Sequence, residues 1–365
     1  MRNIAFGLLG VGGVGSTLLN LLNDEIVRTE MAARAEVLFR PHLLADRRGI
    51  LAAAQGLGEE QVRHALEAKA AGGSVGEVPG GAPAASLDDV WAALRDLGGL
   101  ERFILVDATA SDDTVPLLLR VLDAGGCVVL ANKRPLTGEW GDFLQLTASR
   151  RCRFEATVGA GLPIIRTLQS LLDTGDRVLS IQGVFSGTLA YICTALNRGE
   201  RYSEAVRSAM QAGYTEPDPR DDLGGIDVAR KALILCRMMG HSIELRDVHV
   251  TSMIPSALEG LDLPAFLERL PEGDAEVEEI VREAASRGVR LSYVANIGGE
   301  VPVVGLHEVL PDSPIGRLSG TDNIVVFHTT RYRSAPMVIQ GPGAGREVTA
   351  GGILADMVDL ALCMP

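Results

Sequence analysis

Between an apolar run, "NIAFGLLG", and a leucine-rich stretch, the chain carries Gly10-Val11-Gly12-Gly13-Val14-Gly15. A strand that must turn into a helix over so few residues constrains a fold strongly, and these residues match G-x-G-x-x-G in that context. The first glycine permits the tight turn, the second lets backbone approach a pyrophosphate, and the third lets helix and strand pack closely. Amides at the start of the helix then face the phosphates. The same pattern also serves as a packing turn without ligand, and here the strand before it and the helix after it favour dinucleotide binding.

The following texture extends that reading. "AEVLFRPHLLAD" reads as a second buried strand ending at Asp46, "RFILVDAT" and "CVVLANK" as further strands, and "EEQVRHALEAKAA", 87–97 and "TVPLLLRVLDAGG" as helices. Strands alternating with helices predict an α/β fold with a doubly wound parallel sheet. The Gly/Pro/Ala-rich stretch 72–85 reads as a mobile surface loop. After "FEATVGAGLP" the pattern becomes α+β, with antiparallel strands in "GVRLSYVANIGGEVPVVGLHEV". Two domains are expected: residues 1–155 with 338–365 returning to the nucleotide domain, and a second, α+β domain over 156–337.

At the end of the second strand an acidic residue grips adenosine ribose hydroxyls in NAD sites. Asp46 is that candidate and makes NAD usable, while the adjacent Arg47 and Arg48 could hold the 2′-phosphate of NADP, so both cofactors stay open. With 365 residues, 47% hydrophobic, 4% aromatic and 42 glycines, the chain suits α/β layers better than an aromatic-rich sandwich. Its net charge of −13, with no basic tract longer than two residues, argues against a nucleic-acid partner. No apolar stretch reaches membrane-span length. Five scattered cysteines without a C-x-x-C point to reduced thiols and a cytoplasmic location. None of the six histidines forms a close pair, and no role is assigned to any.

"YTEPDPRDDLGGIDVARK", at 214–231, is the second unusual stretch. Pro217 and Pro219 stiffen a path bearing Glu216, Asp218, Asp221 and Asp222, and a helix then begins with Asp227 in its first turn. Asp227 and Lys231 stand four apart and share a face. On a surface such a pair contributes a few tenths of a kcal/mol. A rigid carboxylate cluster beside a lysine also suits the binding of a cationic amino group next to a proton donor.

This stretch resembles the signature of homoserine dehydrogenases, as do "FEATVGAGLPIIRTL", "GVFSGTLAYI", "LANKRPL" and "QGPGAGREVTAGG", in order along nearly the whole chain. The long segment between Asp24 and Arg102 is closer to plant and fungal members. The resemblance implies a Rossmann-type nucleotide domain and NAD(P)-dependent interconversion of L-homoserine and L-aspartate 4-semialdehyde, a step towards threonine, methionine and isoleucine. It implies that Lys231 is the proton donor and Lys133 a second essential lysine, and that Glu216, Asp222, Asp227 and Thr188 bind substrate. Thr109, Lys133 and Gly345 fall where the family touches the nicotinamide end of the cofactor. The turn with the Glu155 side chain and the carbonyls of Val158, Ala160 and Leu162 matches a monovalent-cation site for Na+ or K+. A homodimer is implied as well.

Ala190 departs from the Asn or Ser that many members carry. The chain stops twenty residues after "GPGAG", so no appended regulatory domain and no preceding kinase domain is expected. Two other readings compete. Aspartate-semialdehyde dehydrogenase shares the substrate but phosphorylates it through a cysteine thioester, and none of the five cysteines sits in a recognisable nucleophile context; another NAD(P)-dependent dehydrogenase of an amino-acid semialdehyde stays open. A non-catalytic dinucleotide-binding protein has no reason to keep two lysines beside the acidic loop.

Overall fold

The computed structural model describes residues 1–84 and 86–364. They form two compact units, 1–161 with 345–365, and 162–344. In the first unit, strands β1 (Arg2–Leu9), β2 (Val37–Ala45), β3 (Gly49–Ala52), β4 (Gly81–Pro83), β5 (Phe103–Asp107), β6 (Cys127–Leu130) and β7 (Cys152–Arg153) form one sheet. Its order is β4-β3-β2-β1-β5-β6-β7. β1 pairs in parallel with both β2 and β5, so the chain reverses its winding there, and the glycine turn leaves the C-terminal end of that central strand. Phe6, Leu8, Leu44, Ile104, Val106 and Val129, all at most 1% exposed, build the core with the closing helix Arg346–Cys363.

Two features differ from the sequence reading. The sheet is mixed, because β3 and β4 add antiparallel at one edge. The stretch expected to be a mobile loop holds a turn of 3-10 helix at Val75–Glu77 and strand β4; Ala85 of that stretch lies outside the described residues. Its glycines serve close backbone packing: a Cβ on Gly49 would lie 2.4 Å from the Cα of Gly76, and one on Gly76 would lie 2.5 Å from the carbonyl of Ala82. Low complexity here reflects backbone-to-backbone contact.

The second unit carries β8 (Val178–Val184), β9 (His249–Val250), β10 (Arg290–Ile297), β11 (Val303–Val309), β12 (Asp322–Thr329) and β13 (Met337–Pro342). They form a sheet in the order β13-β12-β8-β10-β11-β9, antiparallel except for β11 with β9. β13 pairs with β12 over Met337–Phe327 to Pro342–Asp322, so 338–344 stays with this sheet and the return to the first unit begins at Gly345, later than expected. Residues 156–161 fall in the first unit, where a Cβ on Gly161 would meet the carbonyl of Val348 at 2.4 Å.

The helix Ile226–Met238 is apolar nearly all round, with Val228, Ala229 and Ala232 through Cys236 at 1% exposure or less, and is therefore a core helix. Gly225 precedes it at φ 74°, and a Cβ there would lie 2.0 Å from the Tyr293 hydroxyl. Only glycine allows that approach, which fixes where the helix starts.

Candidate functional site

The candidate residues fall into two groups, one on each unit. On the first unit a cavity of about 960 Å³ is lined by Gly10, Val11, Gly12, Asp46, Arg47 and Thr109, among others. Gly10, at φ 90°, lets the turn pass within contact of the next strand's loop: a Cβ would lie 2.7 Å from the carbonyl of Ala108. A Cβ on Gly15 would lie 2.1 Å from the carbonyl of Gly10, so this glycine closes the turn on itself. Gly12 faces open space, and the helix Gly13–Asn23 begins beside it with no acid in its first turn, which leaves its amides positive. Gly13 and Val14 open that helix.

Asp107, fully buried, organises the far wall. Its carboxylate accepts from the Thr109 amide (2.9 Å) and hydroxyl (2.7 Å), the Thr114 hydroxyl (2.8 Å) and the Asn132 amide group (3.1 Å). Asn132 immediately precedes Lys133 and accepts from the Arg134 amide at 3.1 Å. Thr109 and Asn132, the neighbour of the half-buried Lys133, are thus tied to one carboxylate, a role that sequence reasoning missed although Asp107 stands two residues before Thr109. Arg346 was also missed: its guanidinium packs on Gly13, where a Cβ would meet Nε at 2.7 Å. The signal was an arginine directly after Gly345, the residue at φ 125° that caps the last helix.

Asp46 lines the same cavity, and its carboxylate is heavily hydrogen-bonded. One oxygen accepts from the Arg48 amide (2.9 Å), the Gly49 amide (3.1 Å) and the Ser74 hydroxyl (2.8 Å). The other accepts from Lys69 Nζ (2.8 Å) and the Val75 amide (3.0 Å). Burial pushes this carboxyl up, but the Lys69 ammonium and the surrounding donors outweigh it and hold the pKa at about 2. Five donors use up the four lone pairs of a carboxylate. Asp46 therefore anchors the 74–77 turn, with both of its oxygens engaged. Arg47 lines the same cavity, is exposed, and makes no ion pair among the described residues.

On the second unit, Lys231 is 8% exposed and its Nζ donates to the carbonyl of Phe185 (2.7 Å) and to Asp227 (2.8 Å). The pair is no surface ornament, because one partner is buried and the other half-exposed. The Phe185 carbonyl, in the turn "VFSGT", was not foreseen. Thr188 is 5% exposed and donates to Asp222 (3.0 Å) and towards the carbonyl of Tyr214, while the Glu216 amide donates to the other Asp222 oxygen (2.8 Å). Burial pushes the Asp222 pKa up against those two hydrogen bonds, and the Glu216 and Asp227 carboxylates add to the rise. Glu216 itself is exposed. Asp218 and Arg220 pair with each other, and the short helix Pro219–Leu223, unexpected in an acidic loop, carries Asp221 and Asp222.

In the cation turn, Glu155 is 4% exposed, its amide donates to Asp356 (2.7 Å), and Gly159 and Ala160 take φ 77° and 55°. Val158 is buried. Leu162 opens the second unit, and its carbonyl already accepts from the Ile164 amide at 2.8 Å. Among the described residues no group of three or more His, Cys, Asp or Glu could hold a metal ion.

A mostly parallel sheet with a glycine turn at its switch point, followed by an α+β unit, is the architecture of two-domain, Rossmann-type oxidoreductases. The homoserine dehydrogenase family model matches residues 163–358. A homoserine dehydrogenase of Emericella nidulans is 36% identical over 97% of both chains. A chloroplastic bifunctional aspartokinase/homoserine dehydrogenase of Zea mays is 37% identical over 98% of this chain, which spans 38% of that protein's length. A solved protein of unknown function from Candida auris superposes with a TM-score of 0.86 at 30% identity, covering 100% of this chain and 99% of its own. The chain belongs to the homoserine dehydrogenase family.

Proposed function

We propose that the chain interconverts L-homoserine and L-aspartate 4-semialdehyde as an NAD(P)-dependent oxidoreductase of amino-acid biosynthesis, the nucleotide unit holding cofactor and the second unit holding substrate. The observation that carries this is the buried Lys231, held by Phe185 and Asp227. An ammonium has three donors. Two are spent on those partners, and the third is left for the substrate oxygen. The nucleotide unit would hold the nicotinamide cofactor through the glycine turn, Thr109 and Gly345, and the cofactor would supply hydride transfer at the carbon that bears that oxygen. Lys231 gives its proton to the oxygen as charge develops there, and half-exposed Asp227 keeps the side chain aimed while connecting it to solvent. Fixed positive charge at an emerging oxyanion accounts for ~10²–10³ in rate per group, which is the part we assign also to Lys133.

The acidic loop recognises the substrate ammonium. Asp222 is a half-buried carboxylate with one accepted hydrogen bond on each oxygen, and neighbouring acids raise its pKa. A cation at that point relieves the penalty. Glu216, Asp227 and Thr188 complete the set. Gly10 to Gly15, Thr109, Lys133 and Gly345 serve the cofactor, with Arg346 added near the phosphates. Because Asp46 is saturated and Arg47 is not, NADP is the better fit of the two cofactors. The Glu155 carboxylate and the Val158 and Ala160 carbonyls are hard-oxygen donors that would suit Na+ or K+, whose charge would steady that turn.

The sheet of the second unit supports a homodimer, since Val303 and Val338, both 40% exposed, lie in one cross-strand row. No helix among the described residues is long and apolar enough to cross a membrane, and the free cysteines support a cytoplasmic setting. The test is turnover of L-homoserine with NAD or NADP, followed by the near-ultraviolet absorbance of reduced nicotinamide. Absence of turnover with both cofactors, in protein that melts cooperatively, would sink the proposal.

A further inference from the structure

Arg290, Ser292 and Val294 alternate onto one face of β10, with Val309 opposite Arg290 and His307 opposite Ser292 on β11. Ile315 and Leu318 pack over this face beside Val184, Val294 and Ile324. A cavity of about 200 Å³ remains there, and Arg198, Arg290 and Arg317 all line it while no carboxylate does. In a chain of net charge −13, three guanidiniums around one cavity without an acid among them is a localised excess of positive charge.

The guanidiniums are poorly neutralised. Arg198 makes no ion pair among the described residues. Among the described residues the Arg290 guanidinium donates to the carbonyl of Gly316, at 2.8 Å, and makes no ion pair. Arg317 approaches Asp312 at 3.9 Å, but that acid is 98% exposed and screened by water. Arg198 suits the negative end of the helix Gly187–Leu196, yet a helix end carries only about half a charge and explains one arginine of three. The wall is rigid. The Gly316 amide donates to the Ser313 hydroxyl at 3.0 Å, and a Cβ on Gly316 would meet the carbonyl of Leu310 at 2.0 Å.

Polar groups without protein partners lie on and beside this wall. Ser292 lines the cavity at 6% exposure, and its hydroxyl has no protein partner among the described residues. The Nε2 of His307, its cross-strand neighbour, is buried without a partner. We propose that this cavity binds a small oxyanion of two or more negative charges, a phosphate or a short dicarboxylate. Guanidiniums fork such oxygens with charge-assisted bonds, and Ser292 donates from the floor. A volume of about 200 Å³ admits anions of that size.

Calorimetric titration of the full chain with inorganic phosphate and with succinate at low ionic strength tests this, with sodium chloride as control. Saturable one-to-one binding of at least one probe is expected, and its identity separates phosphate from carboxylate chemistry. Arg198→Gln and Arg290→Gln should each weaken it by about tenfold or more, and Ser292→Ala by a few-fold, with homoserine turnover unchanged in all three. No saturable binding, or heats that chloride reproduces, would overturn the site. So would affinity unchanged in Arg290→Gln, which would place phosphate at the glycine turn instead. A sedimentation change in the arginine variants with unaltered anion affinity would also overturn it, by assigning the guanidiniums to carboxylates of a second copy.

Discussion

Asp46 and Asp222 stand in comparable positions, each a carboxylate in a loop that sequence marks as functional, one on either unit. Asp46 receives five donors, one of them a lysine, and its pKa falls to about 2. Asp222 receives two donors, faces other acids, and its pKa rises. A carboxylate whose lone pairs are all used holds a structure together. A carboxylate half-satisfied and crowded by like charge costs the fold something, a cost that a ligand cation would offset. The contrast separates scaffold from site where residue type alone does not.

The largest effect expected is at Lys231, on the costly side of that contrast. Lys231→Met keeps length and helix propensity but removes both charge and proton. Turnover should fall at least ~10²-fold, with cofactor affinity almost unchanged. Turnover within a few-fold of wild type would return the Asp227–Lys231 pair to a packing role. Asp222→Asn comes next: the homoserine KM should rise roughly tenfold, as for loss of one charge-assisted hydrogen bond. Its melting temperature should stay level or rise, since the change removes a penalised charge. A lowered melting temperature with unchanged KM would make Asp222 scaffold like Asp46.

Asp46→Asn should behave in the opposite way. An amide turns one acceptor into a donor that faces the Lys69 and Val75 donors, or the three on the other side, and costs roughly 2–4 kcal/mol of stability. The NADP-to-NAD preference should change little. Arg47→Ala should raise the KM for NADP several-fold and leave that for NAD nearly constant. If Asp46→Asn instead shifts the cofactor ratio strongly while the protein melts normally, its oxygens do reach the ribose.

Much of this was legible in the residues. The glycine turn fixes where the central strand ends, because a Cβ at Gly10 or Gly15 has nowhere to go. Lys231 stands out because apolar residues surround it on a helix buried on nearly every side. Other features were not legible. Whether Asp46 is spent on Ser74, Val75 and Lys69 depends on a turn more than twenty residues away, and the 72–84 glycines look like a loop until their backbones are seen in contact. The Phe185 carbonyl that holds Lys231 is a main-chain group, and no residue type announces it. The limit lies in long-range partners, since composition reports a side chain's capacity and only the fold reports its use.

The smallest expected effect is the dependence of stability on pH, where the two carboxylates should have opposite signs. Asp46 has a folded pKa depressed to about 2 from an ordinary 3.8, so its stabilisation is full above about 4 and is lost as pH falls towards 2. After screening this amounts to roughly 1–2 kcal/mol. Asp222 has a folded pKa raised above 3.8, so the folded state holds that proton more tightly than the unfolded one. Stability from this group is greatest at low pH and falls as pH rises through the raised value, leaving the charged carboxylate a cost at neutrality. The melting-temperature gap between wild type and Asp46→Asn should therefore shrink as pH drops from 5 to about 2. The gap for Asp222→Asn should move in favour of the variant as pH climbs from about 4 to 7. Saturating L-homoserine should abolish the second trend and leave the first intact, because the substrate ammonium neutralises Asp222 and has no access to the oxygens of Asp46. If both gaps follow the same sign, or if homoserine alters neither, the distinction between a satisfied anchor and an unsatisfied site fails for this pair.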